Sequence, residues 1–394
     1  MVHKNGPCSK LGSSLLSAAQ RLELDQARAR SIQSTAATSP AKDGAVVAAA
    51  GDFVVTLGLG TPRTDVSLIV DTASNVVWTQ CKPCTTYCYK QKTAVFDPFS
   101  SKTYENVSCE RSSCGIFTGM AGMSRDCAAG TCSYAMDYSD KSFSKGFFAL
   151  DVLTVGSDSL PEFYFGCGQE NKGHFGGAAG ILGLGRDTFS AVVQTEEKYG
   201  KVFSYCLPSK LSYVGRLSFG KGGVSKSVKY TPLVTRSARP STYLVEMVAI
   251  SVGGVKLAIP AKVLSAPGTV IDSGTAISRL PPSVYQKLSA AFRHQMVKYR
   301  MAKPLGILDT CYDLRGYKYV SVPKISLFFK GGLEVPLHSS GVLFGNGVGR
   351  MCLAFAASES DSGVSILGNV QQQTLEVVFD VRGGKIGFGV NGCS

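Results

Sequence analysis

Two segments about two hundred residues apart carry nearly the same pattern: Leu68-Ile69-Val70-Asp71-Thr72-Ala73-Ser74 and Thr269-Val270-Ile271-Asp272-Ser273-Gly274-Thr275. Each is an apolar run of strand character that ends on an aspartate, followed by a hydroxyl residue, a tiny residue and a second hydroxyl residue. Each is followed downstream by a second matching segment, Gly180-Ile181-Leu182-Gly183 and Ser365-Ile366-Leu367-Gly368. A repeat of so long a period is not a solenoid. It predicts two similar lobes facing across a cleft, each delivering one carboxylate from a strand end, and two carboxylates brought together are the parts of an acid/base pair that activates water.

The chain is 394 residues long, enough for two lobes with sizeable cores. With 44% hydrophobic residues, 18% charged residues and 44 glycines it reads as a globular, turn-rich, mostly β protein. No run of eighteen apolar residues occurs, so no membrane span is predicted. The formal charge of +13 divides into about +3 before residue 50 and about +10 after it. Its lysines and arginines are scattered, with no aromatic-basic binding module, so nucleic acid is not the expected partner.

Thirteen cysteines, seven of them crowded between Cys81 and Cys132 (Cys81, Cys84, Cys88, Cys109, Cys114, Cys127, Cys132), point to an oxidising compartment and a stapled insertion over 81–132. The competing reading of the Cys81, Cys84, Cys88 spacing as a zinc site lacks a nearby histidine and a second half. Neither a metal nor an organic cofactor is therefore expected. The four histidines, His3, His174, His294 and His338, have no Ser, Cys or ligand context, which argues against a Ser/His/Asp or metal enzyme. The glycine-rich run from Gly176 to Gly185 lacks the Lys-Ser/Thr ending of a phosphate loop.

Along the chain, residues 11 to 33 show near-helical spacing, and the small, polar stretch from Ser34 to Ala50 reads as a cleavable linker. From Phe53 the pattern is of short strands and hairpins. One helix interrupts it after the second aspartate, with Pro281 and Pro282 at its start and Val284, Leu288, Ala291 and Phe292 on one apolar face. The expected divisions are a remnant prosegment and linker over 1–50, an N-terminal lobe over 51–235 and a C-terminal lobe over 236–394.

Together with Gly58-Leu59-Gly60-Thr61-Pro62, Trp78-Thr79-Gln80-Cys81, Phe165-Gly166-Cys167-Gly168 and Ile366-Leu367-Gly368-Asn369, the two aspartate motifs resemble those of pepsin-fold aspartic proteases, and more narrowly the plant nepenthesin/nucellin-type branch. The resemblance runs from about Asp52 to Cys393. It implies an all-β bilobal fold with a few short helices, two pseudo-symmetric β-barrel-like lobes and a substrate cleft between them. It also implies a catalytic dyad of Asp71 and Asp272. Thr72 and Ser273 would brace the loops from behind, Ser74 and Thr275 would bond the carboxylates, and Ala73 and Gly274 would complete the loops. Tyr138 would be the tyrosine of a flap hairpin. The disulfides carried over would be Cys81–Cys84, Cys88–Cys167, Cys109–Cys132, Cys114–Cys127, Cys206–Cys393 and Cys311–Cys352, with Cys8 left free.

The implied function is an aspartic endopeptidase, active at acid pH and made as a zymogen, cutting extended peptides as a monomer. Three departures bear on that reading. Ala73 stands where the family has glycine, adding a methyl where two loops approach, and Ser139 and Lys141 stand where the flap has glycines. The alternatives are a weak or inactive binding protein of the glycosidase-inhibitor type, or a plastid protease with DNA affinity. The start of the chain has no apolar leader but resembles the middle of a family prosegment at His3-Lys4-Asn5-Gly6-Pro7-Cys8-Ser9, so the sequence is expected to lack an upstream signal. Secreted or extracellular placement follows, with vacuole or chloroplast as the alternative. Asn106-Val107-Ser108 is the only allowed N-glycosylation sequon, so Asn106 is a candidate glycan site.

Overall fold

The computed structural model describes residues 1–9, 11, 17–34, 52–84, 86–118, 123–138, 140–236, 239–345, 349–390 and 392–393. The linker expected up to Ala50 lies outside them beyond Ser34, as does Ser139. Strands dominate, in the mostly β, bilobal architecture that the repeat implies.

The repeated segments form the same unit in each half. In the first, strand Thr64–Asp71 runs parallel to Gly180–Gly183, with Asp71 opposite Gly183. In the second, Thr269–Ile271 runs parallel to Ser365–Leu367. Each later segment is flanked on its other side by an antiparallel strand, Trp78–Gln80 in the first half and Ser278–Leu280 in the second. The glycines are explained by this crossing. A Cβ on Gly183 would lie 2.4 Å from the Val76 carbonyl oxygen, and one on Gly368 would lie 2.6 Å from that of Ala276. No side chain fits where two backbones meet so closely.

The first unit belongs to a ten-stranded sheet that includes the long hairpin Phe143–Val155 and Asp158–Lys172. The second belongs to a six-stranded sheet. A five-stranded sheet joins the halves, pairing Val202–Cys206 with Leu375–Asp380, and one continuous core passes from Phe53 and Val70 through Phe203 and Phe379 to Leu280 and Phe388. The expected helix is Pro282–Gln295, with Val284, Leu288 and Phe292 buried and Ala291 partly buried against the core. Among the described residues no helix is long and apolar enough to cross a membrane.

The N-terminal segment is integrated with this body. Val2–His3 adds as an edge strand to Phe53–Leu59, and the Met1 ammonium donates to the Gly215 carbonyl at 3.1 Å. Helix Ala18–Ser34 then docks through Leu22, Asp25, Arg28, Ala29 and Ile32; Leu22, Asp25, Arg28 and Ala29, and Ile32 fall on successive turns and so share one face. Leu22 packs with Ile277 and Leu308, while Ala29 and Ile32 pack with Val270 and Ile366.

Twelve cysteines form six disulfides and Cys8 is free and exposed, but four of the six expected pairings are corrected. Cys206–Cys393 and Cys311–Cys352 are as expected. Cys81 instead bonds Cys167, because strand Trp78–Gln80 runs parallel to Gly166–Gly168 and carries Cys81 into the buried layer beside it. Cys88 is left to Cys84. Cys127 and Cys132 face each other across a hairpin yet take different partners. Buried Cys132 bonds Cys114 in an aromatic cluster with Phe117 and Phe148, and exposed Cys127 bonds Cys109. All three cysteines of the zinc alternative are thus used in bridges.

Peptide mapping of the unreduced protein is expected to recover Cys81 linked to Cys167 and Cys84 to Cys88, with alkylation confined to Cys8. Recovery of Cys88 linked to Cys167 would contradict this layering of the insertion on the sheet.

Candidate active site

The two aspartate loops meet back to back. Thr72 N–H donates to Ser273 Oγ at 3.1 Å and Ser273 N–H donates to Thr72 Oγ1 at 3.0 Å. Each hydroxyl then donates onward, Thr72 to the Ile271 carbonyl at 3.2 Å and Ser273 to the Val70 carbonyl at 3.1 Å. Four bonds related by an approximate twofold axis therefore tie each loop to the other half of the chain. All are buried, where a polar group left unpaired costs about 1–3 kcal/mol.

Inside this frame the carboxylates have matching donors. Asp71 accepts from Ala73 N–H at 2.9 Å and Ser74 Oγ at 2.5 Å; Asp272 accepts from Gly274 N–H at 3.1 Å and Thr275 Oγ1 at 2.5 Å. The later segments hold the loops in turn: Leu184 N–H donates to the Asp71 carbonyl, Asp272 N–H donates to the Leu367 carbonyl at 3.2 Å, and Gln372, in the short helix just beyond, donates Nε2 to the Asp272 carbonyl. All eight loop and dyad residues named from the sequence are thus brought together. Ala73 is half-buried, and its methyl leaves both the amide bond and the cross-loop bonds in place.

The third party at the site was not anticipated. Arg28, fully buried, reaches from the N-terminal helix to both aspartates. Nη2 donates at 2.6 Å to Oδ1 of Asp71 and of Asp272 alike, Nε donates to Asp272 Oδ2 at 2.8 Å, and Nη1 to Asp71 Oδ2 at 3.2 Å. A planar guanidinium has the donor fork for such a task. Burial pushes the Asp272 carboxyl up, but the Arg28 charge and its hydrogen bonds, with those of Thr275 and Gly274, outweigh it and hold the group below the ordinary aspartate value. Arg28 itself is raised: burial lowers it, and the two carboxylates more than reverse that. A Cβ on Gly274 would lie 2.2 Å from the Arg28 guanidinium carbon, so this half of the site needs glycine while the helix is docked.

Three residues before Arg28, Asp25 accepts from the amides of Ala276 and Ile277 and from Arg279. The sequence signal for both was the 3–4 residue spacing of the N-terminal helix, in which an ion-pairing residue occupies a position normally kept for an apolar one. Tyr138 follows strand Thr131–Asp137 and is buried, its hydroxyl accepting from Trp78 Nε1 at 2.7 Å. The turn beyond it places exposed Lys141 at φ +65°, a conformation glycine adopts without strain.

Two strand-end carboxylates on interlocked loops, within a duplicated β fold, define the aspartic-protease class of site. The xylanase inhibitor N-terminal family matches residues 53–221 and the xylanase inhibitor C-terminal family residues 242–390. An aspartyl protease family protein of Arabidopsis thaliana is 47% identical over 412 residues, covering all of this chain and 87% of that protein. Aspartic proteinase nepenthesin-2 of Nepenthes gracilis is 33% identical over 371 residues, covering 92% and 82%. The chain belongs to the plant pepsin-fold aspartyl protease family. Among solved structures, basic 7S globulin from soybean superposes with a TM-score of 0.68 at 21% identity, covering 86% of this chain and 91% of that one, a likeness of fold.

Replacing Ser273 by Ala removes the partner of the buried Thr72 N–H and one onward bond. Its denaturation midpoint is expected to fall by the equivalent of about 1–3 kcal/mol, with Ser273→Thr recovering most of it. An unchanged midpoint would show that the cross-loop bonds do not stabilise the fold.

Proposed function

We propose that Asp71 and Asp272 are the catalytic dyad of this aspartic endopeptidase, and that residues 1–50 are a propeptide holding it closed through Arg28. The observation that carries the reading is the single Arg28 nitrogen bonded at 2.6 Å to one oxygen of each aspartate. A cation so placed stands where the attacking water and the scissile carbonyl of a substrate would sit. With the helix gone, like charges this close keep one shared proton between them, as aspartic-protease dyads do. The ionised carboxylate then takes a proton from the bridging water while its partner donates to the scissile carbonyl oxygen. Thr72 and Ser273 fix the loops, and Ser74 and Thr275 orient the carboxylates. Tyr138 belongs to the flap that closes over a substrate bound as an extended strand.

Activation at acid pH follows from the direction of the Asp272 shift. A carboxyl lowered by Arg28 stabilises the docked helix above the ordinary carboxylate range, and that stabilisation is lost as pH falls through the lowered value. Asp25 acts in the opposite sense, since burial raises it against the pull of Arg279 and the Ala276 and Ile277 amides, and its protonation favours docking. Release is therefore driven by the dyad.

The lobes of this proposal are 51–235 and 236–394, acting as a monomer on peptide or protein substrates. The six disulfides support passage through an oxidising compartment, and Asn106, exposed beside Tyr104, is a fitting glycan acceptor.

Asp71→Asn and Asp272→Asn are each expected to abolish pepstatin-sensitive peptide cleavage, whereas Arg28→Ala should cleave at pH 5 to 6 without prior acid treatment. Retention of full activity by either Asn variant would sink the dyad assignment, and an acid requirement unchanged in Arg28→Ala would sink the latch. Ala73→Gly is expected to raise kcat less than about tenfold, since the carboxylate already keeps its bonds and a displacement of a full ångström would cost about a hundredfold. Equal kcat for the two chains would mean that the loop absorbs the methyl completely.

A further inference from the structure

We propose that Arg279, with the backbone amides of Ala276 and Ile277, forms a substrate subsite for an acidic side chain, and that Asp25 occupies it as a stand-in. The proposal rests on the dyad reading above and names the class of peptide that this site prefers.

Arg279 lies on strand Ser278–Leu280, which leads directly out of the Asp272 loop. Its side chain is 1% exposed. Nη1 donates to the Ile277 carbonyl at 2.6 Å, which fixes the guanidinium against its own strand. Nη2 donates to Asp25 Oδ2 at 2.8 Å and to Gln26 Oε1 at 3.2 Å, and Nε has no partner among the described residues. The one carboxylate on this cation, among the described residues, is therefore supplied by the N-terminal helix.

Asp25 is held as a ligand is held. Besides Arg279, its two oxygens accept from Ala276 N–H at 2.5 Å and Ile277 N–H at 3.4 Å. A guanidinium and two successive amides converging on one carboxylate make an anion cradle. All three donors belong to the body of the protein and remain when the helix leaves. The charges around the outer side of Asp25 are Lys4, Arg21 and Asp52, of which Lys4 and Asp52 pair with each other.

Helix geometry places the cradle next to the reaction. Asp25 and Arg28 are three residues apart, roughly 4.5 Å along the axis, so the carboxylate that fills the cradle and the guanidinium that covers the dyad come from one turn. An extended peptide advances about 3.3 Å per residue. A side chain within a few positions of the scissile bond would therefore reach the same donors. Loss of the helix removes the carboxylate that Arg279 bonds among the described residues, and an acidic substrate side chain can replace it where a neutral one cannot.

The test uses the full chain activated in acid and matched peptides carrying Glu or Gln at each position flanking the scissile bond. At pH 5, where a glutamate side chain is mostly ionised, one position is expected to favour Glu over Gln by roughly ten- to a hundredfold in kcat/KM, expressed mainly in KM. At pH 3 that ratio should fall towards one as the peptide carboxyl is protonated. Arg279→Gln should bring the ratio to one at both pH values and Arg279→Lys should keep part of it. Equal cleavage of Glu and Gln peptides at every position by the unmodified enzyme, a result that needs no variant, overturns the subsite and leaves the dyad reading intact. A Glu preference that survives Arg279→Gln also overturns it. No cleavage of either series would overturn both.

Discussion

Two carboxylates cannot sit together inside a protein without an answer to their repulsion. Like charges about 4 Å apart oppose each other by about 4 kcal/mol at an effective dielectric near 20, and burial adds to the cost. This chain meets that constraint with Arg28, whose guanidinium bonds both Asp71 and Asp272 while fully buried itself. In the proposed active state one shared proton replaces the cation. The position of the N-terminal helix and the proposed activation by acid both depend on which of these two solutions is in place.

The frame that holds the carboxylates is symmetric, and the contents of the cleft are not. Thr72 and Ser273 exchange equivalent bonds, and Gly183 and Gly368 occupy equivalent crossings. Arg28 nevertheless donates Nε to Asp272 at 2.8 Å against the 3.2 Å from Nη1 to Asp71, and lies over Gly274, while Ala73 carries a methyl in the first half. Asp25 likewise addresses only the second half, through Ala276, Ile277 and Arg279. The helix thus docks chiefly on the C-terminal half, where Leu22, Ala29 and Ile32 also find their apolar partners.

That helix has the periodicity of an ordinary amphipathic element with a different content. Two of its buried positions are ionisable side chains, Asp25 and Arg28, which a hydrophobic core would exclude. They are tolerated because the surface beneath them is a polar cleft offering two carboxylates, two amides and a guanidinium. In the proposed function a substrate strand entering that cleft meets the same groups, so the segment proposed to close the enzyme also outlines what it would bind.

The fold and the paired aspartates were legible in the sequence because duplication writes them twice. The run of Leu68 to Asp71 and that of Thr269 to Asp272 specify strand, loop and carboxylate through local pattern alone, and the helix after Pro281 is equally local. The disulfide pairing was not legible, since Cys127 and Cys132 lie opposite on one hairpin yet bond elsewhere, the exposed Cys127 to Cys109 and the buried Cys132 to Cys114. Nor was the partner of Arg28, 244 residues from Asp272 and 43 from Asp71. Spacing and residue type are properties of a short stretch of chain and can be read there. Which distant groups an arginine or a cysteine meets depends on how sheets stack and where a cleft opens, so only the tertiary structure decided it.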